Sequence, residues 1–229
     1  MPDPALPAPG DKRAAVQQMF DRISDRYDMV NRIMTFGLDQ RWRRSLVRSL
    51  ELPPRVKVLD IACGTGDLCE ILSEQRLAPI GVDLSFGMLR NAHTRAPLAQ
   101  ADGLALPFPD ASFSGITCGF ALRNVVDLQA LFSECARILQ PGGRLGLLEV
   151  DEPQGRVRRW AHRVYFHGLV PRIGGLLSDK NAYRYLPAST AYLPSYREIS
   201  HMLTSAGFID IERRNHAAGA AQTILATRR

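Results

Sequence analysis

Apolar runs alternate with helical stripes through the middle of the chain. Val56-Lys57-Val58-Leu59-Asp60-Ile61 is a short apolar run, a glycine-rich turn follows, and Leu68-Cys69-Glu70-Ile71-Leu72 resumes with helical spacing. That order predicts a buried parallel strand, a tight loop and the start of a helix. The rhythm then repeats. Ala78 to Asp83 reads as a second strand, and Ser85 as the N-cap of a helix running through Met88 and Leu89 to about Thr94. Leu98 to Ala101 is a short third strand and Ser112 to Cys118 a central fourth. Asp127 to Leu139 carries apolar residues at Leu128, Leu131, Phe132 and Cys135 and is stopped by Pro141-Gly142-Gly143, ahead of a buried strand from Leu145 to Val150. Strands separated by helical patterns predict an α/β fold with a mostly parallel sheet and helices on both faces. Ser195 to Ala206 returns to helix, and Phe208 to Ile211 with Thr223 to Ala226 predicts a closing antiparallel hairpin.

The flanks are of a different character. Residues 1–11 are proline-rich and predict a flexible arm. Residues 12–26 read as a helix with Val16, Met19, Phe20 and Ile23 on one face, able to pack on the domain or to cover a ligand, with Tyr27 and Asp28 at its carboxyl end. A second helix from Leu38 to Leu50 is closed by Pro53-Pro54. Residues 151–194 lack the alternation; an amphipathic helix from Arg156 to Leu169 and the aromatics Tyr183, Tyr185 and Tyr192 suggest a substrate lid. The expected organisation is an arm (1–11) and one domain (12–229), divided into a helical cap (12–54), a ligand-binding core (55–150), a lid (151–194) and a closing helix and hairpin (195–229).

Size and charge narrow the classes. A chain of 229 residues can bury a full core. It offers no run near the roughly 20 apolar residues that cross a bilayer, and its amino-terminal arm does not read as a signal peptide, so a cytoplasmic protein is expected. The net charge of +6 gathers in Arg41-Trp42-Arg43-Arg44 with Arg48, and in Arg156, Arg158, Arg159, His162 and Arg163. These clusters read as solvated helix faces or as contacts to an anionic leaflet at the inner face of the membrane. No aromatic-rich motif accompanies them, so nucleic acid is not expected as a partner. The four cysteines, Cys63, Cys69, Cys118 and Cys135, lack C-x-x-C spacing and predict buried thiols rather than a disulfide or metal site.

Candidate chemistry starts at the glycine turn. Gly64 and Gly66 permit positive φ and let a ligand lie against the backbone, and Asp83 closes the second strand roughly 20 residues on, where nucleoside-binding folds place a ribose-binding acid. Cys69 stands where a third glycine of a dinucleotide motif would be, and Asp67 directly after Gly66 suits a pyrophosphate poorly. A cationic or zwitterionic ligand fits better. Asp102-Gly103 follows the third strand, as a simple turn or as part of the site. Arg123 and Asn124 follow the fourth strand, where an open parallel sheet brings ligands together; a structural pair between Arg123 and Asp127 is the alternative. Asp67 reads either as a site residue or as a helix cap. His162, His167, His201 and His216 are further candidate bases, His216 the best placed of them.

Asp60-Ile61-Ala62-Cys63-Gly64-Thr65-Gly66 with Asp83 resembles the signature of class I S-adenosylmethionine-dependent methyltransferases. Phe20 to Asn31, Thr35-Phe36-Gly37 and Trp42-Arg43 resemble the amino-terminal signature of the ubiquinone/menaquinone biosynthesis C-methyltransferases; Phe120 to Val125 resembles their second signature and Tyr183 to Leu186 a third. The resemblance implies a Rossmann-like seven-stranded sheet and S-adenosylmethionine, with no metal, held by Asp60, Gly64, Thr65, Gly66, Asp83, Asp102, Gly103 and Gly119. It implies Arg123 and Asn124 on the oxygen of a prenylated quinol, with Asp67 orienting Arg123 and Tyr27 completing the polar cluster. A homodimer is left open. Leu148-Glu149-Val150-Asp151-Glu152-Pro153, Leu193-Pro194-Ser195-Tyr196, Gly119-Phe120-Ala121 and Gly219 to Thr223 depart from the family pattern. A methyltransferase of another phenolic metabolite, and a non-catalytic nucleotide-binding regulator, are the competing readings.

Overall fold

In a computed structural model, described over residues 11–151, 185 and 188–229, Lys57–Ile61 (β1), Ala78–Asp83 (β2), Leu98–Gln100 (β3) and Phe113–Gly119 (β4) form the parallel part of the sheet. Leu139–Val150 (β5) joins β4 in parallel, and the hairpin Phe208–His216 (β6) and Ala221–Arg228 (β7) closes the sheet antiparallel. The seven strands lie in the order β3-β2-β1-β4-β5-β7-β6. This is the α/β, Rossmann-like arrangement that the alternation of patterns predicts.

Burial on both faces explains the near-continuous apolar strands. On one face Leu59, Ile61, Ile116 and Leu147 pack with Leu131, Phe132 and Cys135 of Leu128–Ile138 (α6) and with Ile199 and Leu203 of Tyr196–Ser205 (α7). On the other, Val58, Leu148 and Leu225 meet Leu46, Val47 and Leu50 at the end of Leu38–Ser49 (α3) and Leu68, Ile71 and Leu72 of Asp67–Glu74 (α4). All four cysteines are buried free thiols.

Caps set the helix starts. Ser85 accepts from Met88 N–H to open Phe86–Arg90 (α5), Asp127 accepts from Ala130 N–H to open α6, and Ser195 with Glu198 forms a capping box on α7. The α5 helix stops at Arg90, short of the predicted Thr94. The single helix expected over 12–26 is two helices, Lys12–Ile23 (α1) and Tyr27–Thr35 (α2), so Tyr27 starts an element rather than ending one. The break is a tight turn in which Arg26 N–H bonds Ile23 C=O at 3.1 Å. Pro141-Gly142-Gly143 does not separate helix from strand: β5 begins at Leu139 and carries these residues as an irregularity between the Phe113–Leu139 and Gly115–Arg144 pairs. The predicted arm, and the lid with its Arg156–Leu169 helix and second basic cluster, lie outside the described residues apart from their edges.

Candidate active site

The chain leaves β1 toward β2 and β3 on one side and returns to β4 on the other, so a crevice opens beyond the carboxyl ends of β1 and β4. A cleft enclosing about 990 Å³, counted to its open mouth, occupies that place. Gly64, Asp83, Asp102 and Gly103 line one part, Gly119 and Asn124 another, and Val16, Phe20 and Tyr27 of the helical cap complete it.

The turn after β1 is shaped by backbone rather than by side chains. Gly64 and Gly66 have φ of 57° and 93°, the left-handed region in which a Cβ is costly. A Cβ on Gly64 would meet nothing within 4 Å, so its absence leaves the backbone bare toward the cleft. Gly64 N–H donates to Asp83 Oδ2 and Ser85 N–H to Asp83 Oδ1, each at 2.8 Å. Burial raises the Asp83 carboxyl above its ordinary range while these N–H groups pull the other way. Two bonds fix the carboxylate, and its remaining lone pairs can take vicinal hydroxyls. Asp102 combines both readings made of it: it accepts from Leu104 N–H at 3.0 Å as a turn residue, and it lines the cleft.

The cap is tied down beside these residues. Arg13 of α1 pairs with Asp102 at 2.8 Å, and Asp21 accepts from Ser85 Oγ at 2.6 Å and Gly87 N–H at 2.8 Å. Lys12 Nζ donates to Val125 C=O at 2.8 Å, beyond β4. The stripe Val16, Phe20 therefore faces the cleft as well as packing on the domain.

Beyond β4, Gly119 leads into Phe120 at φ 60° and a 3₁₀ turn over Leu122–Asn124. A Cβ on Gly119 would lie 2.9 Å from Leu68 and 3.0 Å from Arg43 Nη1, so a larger residue would have to displace those side-chain ends. Arg123 is 6% exposed and pairs with Glu149 of β5. Neither expected partner holds it. Asp127 caps α6, and Asp67 has its own set: Arg32 and His93 at 3.2 Å on Oδ1, Gln40 at 3.0 Å and Arg43 at 3.6 Å on Oδ2. Asp67 lies at the first position of α4 beside an N-cap, Gly66, that has no side-chain cap bond, which corrects the capping alternative too. Asn124 lines the cleft, and its Oδ1 accepts from the Tyr185 hydroxyl at 3.1 Å. Burial raises the Tyr27 hydroxyl and pushes Tyr185 up to about 12, so both stay protonated donors.

Other predicted residues sit behind the wall. Asp60 is 1% exposed and accepts from Thr117 Oγ1 at 2.7 Å; burial raises its carboxyl to about 7. Thr65 donates to Asp28 at 2.7 Å, and Gly66 packs against Thr94. His216 bonds Thr223 at 2.8 Å and His201 is exposed; His162 and His167 lie outside the described residues.

Four residues near the site escaped sequence reasoning. Arg43, read with Arg41, Arg44 and Arg48 as a solvated or leaflet-facing cluster, is buried, with its guanidinium 5.1 Å from the Phe120 ring, whereas the other three are exposed. The Asp39–Arg43 spacing was the available signal. Glu149, read above only within a departure from the family pattern, had one as well, a charge in the apolar run from Leu145 to Val150. His93, bridging Asp28 and Asp67, and Asp21, joining α1 to α5, had none, because both act across long sequence separations.

A bare glycine turn facing a fixed carboxylate suits a nucleoside, and the Asn124 amide across the cleft suits a ligand oxygen; Arg123, its neighbour in the chain, is buried and is not among the residues that line the cleft. The protein shares its fold with a Haemonchus contortus phosphoethanolamine N-methyltransferase 2 solved with S-adenosyl-L-methionine (TM-score 0.61, 18% identity, 81% of this chain and 52% of that one). It also shares it with the [4+2]-cyclase SpnF (TM-score 0.67, 16% identity, 98% and 97%), so the fold alone does not decide the reaction. Sequence relatives are more telling. The chain is 41% identical over 225 residues to a demethylmenaquinone methyltransferase of Roseiflexus castenholzii, with 94% of each covered. It is 39% identical over 223 residues to the ubiquinone/menaquinone biosynthesis C-methyltransferase UbiE of Geobacter sulfurreducens, covering 92% of this chain and 87% of that one. The model of the ubiE/COQ5 methyltransferase family matches residues 9–228, from the cap through the glycine turn to the closing hairpin, and the chain belongs to that family.

Proposed function

We propose that the protein is an S-adenosylmethionine-dependent C-methyltransferase that methylates a ring carbon of a prenylated quinol precursor, demethylmenaquinol or its counterpart in ubiquinone synthesis. The observation that carries this reading is the meeting, in one cleft, of Gly64 and the doubly bonded Asp83 with Asn124, whose turn also carries the buried Arg123 just behind the lining. When bound, S-adenosylmethionine supplies a methyl group on a sulfonium that leaves as a neutral thioether.

The chain's part is to bind, orient and stabilise. Asp83 accepts the ribose hydroxyls while Gly64 brings its backbone close; Asp102 and Gly103 flank the adenine, and Gly119 the methionine end. The acceptor ring becomes nucleophilic at carbon when its hydroxyl ionises, which costs about 4 kcal/mol at neutral pH for a phenol of pKa near 10. Arg123 and the Asn124 amide, oriented by Tyr185, hold the resulting oxyanion in a cleft that α1 helps to close to water. Arginine keeps its proton throughout, so it stabilises the charge and does not act as the base. The hydroxyl proton passes to water; the ring carbon then bonds the methyl as the sulfonium's bond to it breaks, the ring carbon's hydrogen leaves as a proton to water, and the regenerated phenolate takes one proton back, so each turnover releases one proton. Asp67 acts at one remove, bracing Arg43 behind Gly119 and Phe120.

A lipid-soluble acceptor implies work at a membrane. Among the described residues no helix is long and apolar enough to cross one. Met29, Ile33 and Phe36 are exposed at intervals of three to four residues, and Arg41, Arg44 and Arg48 are exposed on the next helix, which supports contact with an acidic leaflet. Incubation with labelled S-adenosylmethionine and a panel of prenylated and unprenylated quinols tests the proposal. Mass spectrometry is expected to find the methyl on ring carbon of a prenylated quinol; label only on oxygen, nitrogen or unprenylated phenols would overturn it.

A further inference from the structure

Glu149 is a charged residue inside an apolar strand, and it is 1% exposed. A carboxylate in that position is costly unless it is surrounded by donors. Its Oε1 takes the Arg123 guanidinium through Nη1 and the Val150 N–H at 2.9 Å, and its Oε2 takes the Arg123 N–H at 3.4 Å. Side chain and backbone of Arg123 thus both end on the same carboxylate, which pins the guanidinium and the Leu122–Asn124 turn together. Arg123 Nε is buried without a hydrogen-bond partner, as are the Nε atoms of Arg43, Arg144 and Arg213, so that atom does not by itself mark a ligand. What reaches the cleft is the next residue of the pinned turn, Asn124, so the carboxylate fixes the place of a residue that lines the site.

A purely stabilising role explains this poorly. Buried ion pairs are often no better for stability than an apolar pair of the same volume, whereas they do fix direction. We infer that Glu149 is a positioning residue for the methyl transfer, aiming Arg123 and the turn that carries Asn124 at the acceptor's ring oxygen. The inference rests on the proposed role of Arg123, and it also implies a charge balance. The Arg123–Glu149 pair is neutral as a whole, so what favours the oxyanion is the direction of the guanidinium rather than a bare excess charge.

Among the described residues, Tyr27 of α2 and Tyr185 feel the charge of Arg123, and Cys118 of β4 that of Glu149, and burial raises all three. Asp60, at about 7, lies on β1, separated from β5 by β4. The pH profile of kcat is measured for the full chain carrying Glu149→Gln, Glu149→Asp, Arg123→Ala or both Arg123→Ala and Glu149→Gln. Affinity for S-adenosylhomocysteine is measured alongside. Glu149→Gln is expected to bind S-adenosylhomocysteine within about threefold of the parent and to lose roughly tenfold or more of the plateau kcat, about 1.4 kcal/mol. Its acid limb should move to lower pH, because an uncompensated guanidinium favours the ionised oxygen. Glu149→Asp keeps the charge but not the reach, so its plateau should fall while its limb stays; it carries the test if the glutamine variant does not fold. The double variant should be no slower than Arg123→Ala alone. A parent-like plateau in both Glu149 variants, or a double variant much slower than Arg123→Ala, overturns the inference. A parent-like rate in Arg123→Ala itself would instead remove the role of Arg123, and Glu149 with it.

Discussion

Asp83 cannot turn away from the cleft, because the N–H groups of Gly64 and Ser85 each hold one of its oxygens. A carboxylate fixed in this way has its orientation settled before a ligand arrives, so its contribution to binding is not spent on ordering it. Asp83→Ala is expected to raise the dissociation constant for S-adenosylhomocysteine at least tenfold, about 1.4 kcal/mol, by calorimetry; unchanged affinity would take the ribose away from Asp83. Gly64 and Asp83 were legible as letters because each acts through its own backbone turn or strand end. Arg123 was legible as a residue of the turn that follows β4, but its partner was not. Asp67 and Asp127 are nearer in motif or in sequence, yet Glu149 lies on the strand adjacent to β4 and is the carboxylate that meets it.

At the scale of elements, α1 depends on side chains from distant segments. Asp21 accepts from Ser85 Oγ and Gly87 N–H, and Asn91 Nδ2 donates to Ser24 Oγ at 2.8 Å, so α5 is where the cap docks. Asp21→Ala removes an acceptor from the buried Ser85 hydroxyl and the half-buried Gly87 N–H, worth about 1–3 kcal/mol. It should release S-adenosylhomocysteine at least fivefold faster in stopped flow, since α1 supplies part of the cleft wall; an unchanged off-rate would show that α1 does not gate the site. Element types followed from periodicity, and Ser85 and Ser195 announced two helix starts. The division of 12–26 into α1 and α2 was not legible, because the same three-to-four spacing runs through both helices and no glycine or proline marks the turn at Ser24-Asp25-Arg26.

For the molecule as a whole, the buried acid of β1 couples folding to pH. Asp60 loses its proton near 3.8 when unfolded and near 7 when folded. Between those values the native state binds more protons, so stability falls as pH rises through this window, by about 4 kcal/mol in the limit, and then levels off. Asp60→Asn, which keeps an acceptor for Thr117, is expected to flatten this slope in urea titrations between about pH 4 and 7 and to be the more stable protein at pH 8. A parent-like slope in the variant would place the coupling elsewhere.

The order of strands and helices, the glycine turn and the acid at the end of β2 were set by the chain itself, because burial periodicity and turn chemistry are local properties that one segment carries alone. Which charges meet was decided only by tertiary structure. Arg43 left its solvent-facing neighbours for Asp67 and Phe120, Arg123 found Glu149, and Tyr185 reached Asn124, since a buried charge or hydroxyl must be paired by whatever the packed sheet brings within reach.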